Sequence, residues 1–167
     1  MSSGKATIAA FVAHNIKEIS GGKKVLVLCP NATLVKQNAE TYAKISSDYS
    51  IYSASISKSL RHLVVFATPQ SFINVVEKTN GEFCAVIIDE CDQTTETVKS
   101  IVDTLRAKNP MLRLCGMTGT PYRTGEGYIA EIDVDNTIIE EASSPYYKKI
   151  VARITPRELI DLGFATP

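Results

Sequence analysis

Ala85-Val86-Ile87-Ile88-Asp89-Glu90-Cys91-Asp92 decides the fold. Four consecutive apolar residues, three of them β-branched, read as a strand buried on both faces. Two adjacent carboxylates follow at once. A strand that delivers Asp89 and Glu90 to its C-terminal end can hold a divalent cation with the first and aim or deprotonate a water with the second. Strand-end carboxylates also cap following helices, and that plainer reading stands beside the first.

The same grammar recurs along the chain. Lys24 to Cys29, ending at Pro30, is a second buried strand, and Leu63 to Ala67, ending at Thr68-Pro69, a third. Met111 to Gly116 is a further strand, and Tyr49 to Ala54 a weaker one. Helices are expected between them. Ile8, Val12, Ile16 and Ile19 recur at helical spacing before Gly21-Gly22. Leu34, Val35, Ala39 and Tyr42 mark a second helix, and Val98, Ile101, Val102 and Leu105 another, ended by Asn109-Pro110. A short helix is expected from about Gln70 to Val76. Apolar strands alternating with helices predict an α/β fold, a mainly parallel sheet covered on both faces. Ligands of such sheets sit beyond the carboxyl ends of the strands, where Pro30, Thr68, Asp89 and Thr118 all fall.

Composition excludes several functions. The 167 residues carry 44% hydrophobic side chains and zero formal net charge, so any contact with nucleic acid has to be local. No apolar stretch is long enough to span a bilayer, and no signal peptide opens the chain. Cys29, Cys84, Cys91 and Cys115 show no paired spacing and read as small core residues of a cytoplasmic protein. His14 and His62 have no spaced partner.

Ser2-Ser3-Gly4-Lys5-Ala6-Thr7 precedes the first helix. Small residues let backbone N–H groups face a phosphate, and a lysine can reach the β- and γ-phosphates. A hydroxyl directly after the lysine would ligate Mg²⁺, but Ala6 stands there and Thr7 comes one position late. Read alone, the segment is an ordinary polar N-terminus. Pro30-Asn31-Ala32-Thr33-Leu34-Val35-Lys36-Gln37 and Thr68-Pro69-Gln70-Ser71-Phe72 each join a strand end to a helix start. Free amides and hydroxyls there suit backbone phosphates, and equally suit simple capping. Tyr146-Tyr147-Lys148-Lys149 is either a stacking element for single strands or a solvated turn.

Taken together, these segments resemble the first motor lobe of superfamily-two helicases. Gly4-Lys5 looks like motif I, and Pro30, Leu34 and Gln37 like motif Ia. Thr68-Pro69-Gln70 looks like motif Ib, Asp89-Glu90-Cys91-Asp92 like the DEAD/DEAH-box motif II, and Thr118-Gly119-Thr120-Pro121 like motif III. Asn109-Pro110 before motif III, Thr120-Pro121-Tyr122-Arg123 and Glu158-Leu159-Ile160-Asp161-Leu162-Gly163-Phe164 resemble the type III restriction Res-subunit group, which includes RadD-like repair ATPases.

The resemblance implies a RecA-like fold, ATP and Mg²⁺ as cofactors, and DNA, or RNA, as the track. It places Ser2, Ser3, Gly4, Lys5, Ala6 and Thr7 around the nucleotide, and Asp89 on the metal. Pro30, Asn31, Gln37, Thr68, Pro69 and Gln70 fall near the nucleic-acid backbone. Thr118, Thr120 and Arg123 couple the two sites. Residues 1–124 are expected to form the ATPase lobe, and 125–167 an excursion and connector toward a second lobe. Within that stretch, Ile150 to Ile154 reads as a strand, and Arg157 to Leu162 as a short helix capped by Thr155 and closed by Gly163.

Three residues depart from the pattern. Ala6 replaces the metal-binding hydroxyl, Asp92 stands where His is usual in the restriction and repair groups, and Gly119 replaces an Ala. The sequence begins inside motif I, so the chain reads as a piece of a longer protein or the product of a decayed gene. The isolated lobe is expected to hydrolyse ATP negligibly, because the resemblance assigns the arginine of the transition state to the second lobe. A degenerate, non-hydrolysing binding lobe is the first alternative, and another P-loop NTPase the second.

Overall fold

Apolar residues on both faces of successive strands force the sheet into the interior, and the computed structural model, which describes residues 4–154 and 157–158, follows that rule. The chain divides into two compact units, Met1–Gly119 and Thr120–Pro167. The first contains α1 (Lys5–Ile19), β1 (Lys24–Leu28), α2 (Ala32–Ala43), β2 (Tyr49–Ser53), β3 (Ser57–Lys58), β4 (Val64–Ala67), α3 (Pro69–Phe72), β5 (Phe83–Asp89), α4 (Glu96–Lys108) and β6 (Arg113–Met117). The sheet order is β3-β2-β4-β1-β5-β6. All neighbours are parallel except β3, which returns antiparallel on β2.

The register places the strand ends level. Leu28 lies opposite Ala67 on one side and Ile88 on the other, and Asp89 lies opposite Met117. The turns after β1, β4, β5 and β6 therefore open along one edge. Val25, Val27, Phe66 and Ile87 pack with Ala10, Ala13, Val35 and Tyr42 beneath α1 and α2. The alternate residues Leu26, Leu28, Val86 and Ile88 are also buried, as are Val98, Ile101, Val102 and Leu105 of α4. Each such side chain contributes about 1.5–3 kcal/mol by leaving water.

The first helix forms where its periodicity predicts, but on a rotated face. Its buried residues are Ala9, Ala10 and Ala13, while Ile8 and Ile19 are exposed. Small side chains let α1 lie close against α2 and the sheet, and only Val12 and Ile16 pack in from the flank. The helix expected to reach Val76 ends as α-helix at Phe72, and Val76–Lys78 form a separate 3₁₀ turn. Lys108 clamps that turn by donating to the carbonyls of Val76, Glu77 and Thr79.

Gly81 follows with φ +72°, and a Cβ there would lie 2.8 Å from the Lys108 carbonyl oxygen. Neither the left-handed backbone nor the facing main chain yields cheaply. Gly81→Ala is expected to cost about 2–3 kcal/mol, lowering the melting temperature by roughly 4 °C per kcal/mol. Calorimetric melting checks it, and a shift under about 2 °C would refute the clash.

The second unit, expected as an excursion of little periodicity, carries short strands. It holds β7 (Tyr122–Arg123), β8 (Gly127–Tyr128), β9 (Ala130–Ile132) and β10 (Tyr147–Lys149). The strand expected over Ile150–Ile154 lies three residues earlier, and Tyr147–Lys149 is this strand rather than a turn. β10 pairs in parallel with β9, Tyr147 opposite Ala130 and Lys149 opposite Ile132, and Ile150 N still donates to Ile132 O. The ladder ends there because β9 runs into the Asp133–Thr137 turn, leaving Val151 and Ile154 exposed. Lys148 pairs with Glu131, and Lys149 donates to Asn136. Arg157 and Glu158 are helical; Thr155, Pro156 and the rest of the expected helix with Gly163 lie outside the described residues.

Candidate functional site

Three turns at the carboxyl edge of the sheet bring the predicted residues of motifs I, II and III together. Gly4 caps α1 in the left-handed conformation, φ 71°, and Ile8 N donates to its carbonyl. That turn points Lys5, the first helical residue, across to the end of β5, where its Nζ lies 2.6 Å from Glu90 Oε1. The two residues are 85 positions apart in sequence. A Cβ on Gly119 would stand 3.8 Å from Lys5 Nζ, so the turn after β6 borders the same amine. Ala6 offers no hydroxyl, Thr7 is exposed on the helix, and Ser2 and Ser3 lie outside the described residues.

Glu90 has φ 50° and ψ 52°, a left-handed backbone in a residue with a side chain. Such a conformation costs on the order of 1 kcal/mol or more and persists where its surroundings hold it. Here the Glu90 amide donates to Asp89 Oδ1 at 3.1 Å, and Gln93 N donates to the Glu90 carbonyl. The turn sends the chain from β5 into a 3₁₀ segment, Cys91–Gln93. Within it, Asp92 Oδ1 accepts from Thr118 Oγ1, tying the turn after β5 to that after β6.

Asp89 is buried, and its Oδ2 accepts from Asn38 Nδ2 at 2.8 Å. Asn38 also donates to Cys29 Sγ at 3.2 Å. Burial, more than the nearby Asp89 charge, pushes the Cys29 thiol up to about 12, so it stays neutral. Sequence reading missed Asn38. The signal was a polar residue inside the buried stripe Val35, Ala39 and Tyr42 of α2.

Pro30, Pro69, Gln70, Asp89, Glu90 and Gln93 border a cleft of about 220 Å³ at this edge. Asn31 Oδ1 accepts from Leu34 N at 3.0 Å, so this side chain caps α2. Thr68 donates to Ser71 Oγ, which accepts in turn from Ala54 N. Gln37 and Gln70 are exposed. Thr120 and Arg123 belong to the second unit, where Arg123 pairs with Glu126 at 3.2 Å.

Residues 2–123 match the family described as type III restriction enzyme, res subunit. The chain belongs to that Res-subunit family. The match runs from the turn before Lys5 through Arg123 and so takes in every strand of the main sheet. No curated protein matches the chain. Among solved structures, the UvsW helicase of bacteriophage T4 is similar at 24% identity and a TM-score of 0.61, over 72% of this chain and 44% of that one. The Hef helicase domain of Pyrococcus furiosus is similar at 24% identity and a TM-score of 0.62, over 74% of this chain and 29% of that one. The type ISP restriction-modification enzyme LlaGI, solved with a DNA substrate mimic, gives 18% identity and a TM-score of 0.60, over 97% of this chain and 18% of that one. The chain thus spans less than half the length of each. At these identities the likeness is one of fold, that of a RecA-like helicase lobe. No helix among the described residues is long and apolar enough to cross a membrane.

Proposed function

We propose that the first unit is the ATP-binding motor lobe of a nucleic-acid helicase or translocase that acts on DNA. The observation that carries this reading is the meeting of Lys5 and Glu90 at 2.6 Å beside the buried Asp89. An amine at the start of a 15-residue helix here meets a carboxylate at a strand end 85 positions away, next to a second, buried carboxylate. Together they make a phosphate site. The α1 N-terminus offers unpaired amides and the positive end of its dipole to phosphate oxygens, and Lys5 adds a full charge. Glu90, once released from Lys5, accepts the proton of an attacking water.

The donor set suits Mg²⁺ held jointly with phosphates. Each Asp89 oxygen accepts one hydrogen bond and keeps a further lone pair, and a carboxylate with waters and phosphate oxygens is the usual Mg²⁺ shell. Bound there through Asp89, the ion would offset charge on the phosphate oxygens. Ala6 contributes no ligand, so the protein's hold on the ion rests on Asp89. The 167 residues contain one such lobe, and hydrolysis is expected only when a second lobe adds an arginine, a contribution of about 10³–10⁵ in rate. Thr118 and Asp92 link the turns after β5 and β6, and with Thr120 and Arg123 would pass changes at the phosphates onward. Resonance shifts on adding ADP and Mg²⁺ test the site. They are expected at Gly4 to Thr7, Asp89 and Glu90; shifts confined elsewhere would refute it.

The track runs along the turns after β1 and β4, which are neighbouring parallel strands. Gln37 and Gln70 are exposed there, and the cleft bordered by Pro30, Pro69 and Gln70 opens beside them. Contacts by amides and hydroxyls read backbone, so sequence preference should be slight. Few lysines take part, so a log–log salt plot should show about one to three released counterions. Changing Gln37 and Gln70 together to Ala is expected to weaken binding of labelled single strands about fivefold in fluorescence anisotropy. Unchanged affinity, with loss on neutralising Lys148 and Lys149 instead, would move the track to the second unit. DNA and RNA strands of one sequence, compared side by side, decide the substrate.

Ala6 favours a second reading, a lobe that binds nucleic acid or a partner without hydrolysis. Phosphate release that stays at background with a second lobe supplied would select it.

A further inference from the structure

Asn38 stands out among buried groups. It is 2% exposed on the stripe of α2 that otherwise carries Val35, Ala39 and Tyr42. Burying an amide without partners costs about 1–3 kcal/mol, so an apolar residue would serve the packing better. What Asn38 supplies instead is Nδ2, 2.8 Å from Asp89 Oδ2 and 3.2 Å from Cys29 Sγ. A carboxylate can only accept, which fixes the amide's orientation with Nδ2 toward Asp89.

We infer that Asn38 is a positioning residue for the divalent cation: its amide fixes the Asp89 carboxylate and so sets the affinity for metal at that side chain. This rests on the nucleotide-site reading above. Two donors from different elements grip Asp89, Asn38 Nδ2 from α2 on Oδ2 and the Glu90 amide on Oδ1. Together they hold the plane of the carboxylate. The donor's neutrality matters equally. A lysine or arginine at this place would orient Asp89 but offset the charge a cation needs. An amide orients it and leaves the charge intact. Cys29, the amide's other partner, is a neutral thiol and does not compete. Because Ala6 supplies no ligand, the orientation of one carboxylate carries more of the metal affinity here than in a site with two protein ligands. Partners that orient a metal ligand typically govern about 10- to 100-fold in affinity.

The test uses the full chain, with Mn²⁺ as probe and ADP present, free Mn²⁺ being read by electron paramagnetic resonance. Asn38→Leu keeps the branched outline, with added bulk, and removes the donor; Asn38→Ala removes the donor with no added bulk, should Leu impair folding. Both are expected to weaken Mn²⁺ binding about tenfold or more, while ADP affinity in chelator stays within about twofold. That split separates positioning from a loss of structure, which would lower both. A loss of Mn²⁺ affinity below about fivefold in the folded variants, with Asp89→Asn abolishing binding, overturns the role of Asn38 and leaves the site reading intact. If the wild-type chain takes up no Mn²⁺, or Asp89→Asn binds it unchanged, the metal assignment falls and this inference with it.

Discussion

Glu90→Gln should bind nucleotide more tightly than the wild-type chain and, with a second lobe supplied, hydrolyse it far more slowly. The two effects have one origin. Glu90 holds Lys5 at 2.6 Å, so the amine must leave a carboxylate before it meets a phosphate. Their side chains are 25% and 30% exposed, so solvent screens the pair, and its worth is about 1 kcal/mol. Glutamine gives up the charge and releases Lys5, which corresponds to roughly fivefold in affinity for ADP. It also removes the proposed base. A positioned general base contributes about 10²–10⁴ in rate, and phosphate release with a second lobe supplied should fall by that factor. Calorimetry on the chain reads the first effect and a phosphate assay the second. Weaker ADP binding by Glu90→Gln would mean that the carboxylate helps hold the nucleotide. An unchanged rate would remove Glu90 from the chemistry.

The parts of this site that were legible in sequence share a physical reason. β1, β4 and β5 are short runs of β-branched and aliphatic residues with polar or Pro-containing turns directly after them, so both the strand and its exit could be read. Parallel pairing then had to align those exits, which is why Asp89, Glu90 and Thr118 fall on one edge. What failed was signal of lower contrast. α1 buries alanines, which hydropathy hardly separates from their neighbours, and its isoleucines at positions 8 and 19 point to water. Strands of two or three residues, such as β7, β8 and β9 of the second unit, show no period at all and left no mark in the sequence. Asn38 was passed over because polar residues are expected outside. Its place in the i, i+3, i+4 stripe of α2 was the clue that it had a partner inside.

Lys5→Ala is expected to cost the chain most of its affinity for nucleotide. In the free chain Lys5 is already placed by the helix start, with Gly4 in a left-handed turn that no side chain obstructs. No second cation is paired to Glu90 among the described residues, so nothing in the site replaces the lost charge. Removing one partner of a close charge pair costs about 2–5 kcal/mol, which corresponds to a fall in ADP affinity of some thirtyfold or more. The helix amides remain and hold a residual contribution of about 1 kcal/mol. The same change leaves Glu90 without its amine, though a carboxylate 30% exposed can take water, so folding stability should fall by less than about 1 kcal/mol. The contrast identifies the role. A large loss of binding with a small shift in melting temperature marks Lys5 as a ligand contact. Equal ADP affinity in Lys5→Ala and wild type would leave the Lys5–Glu90 pair a clasp between α1 and β5, and would place the nucleotide elsewhere on this chain.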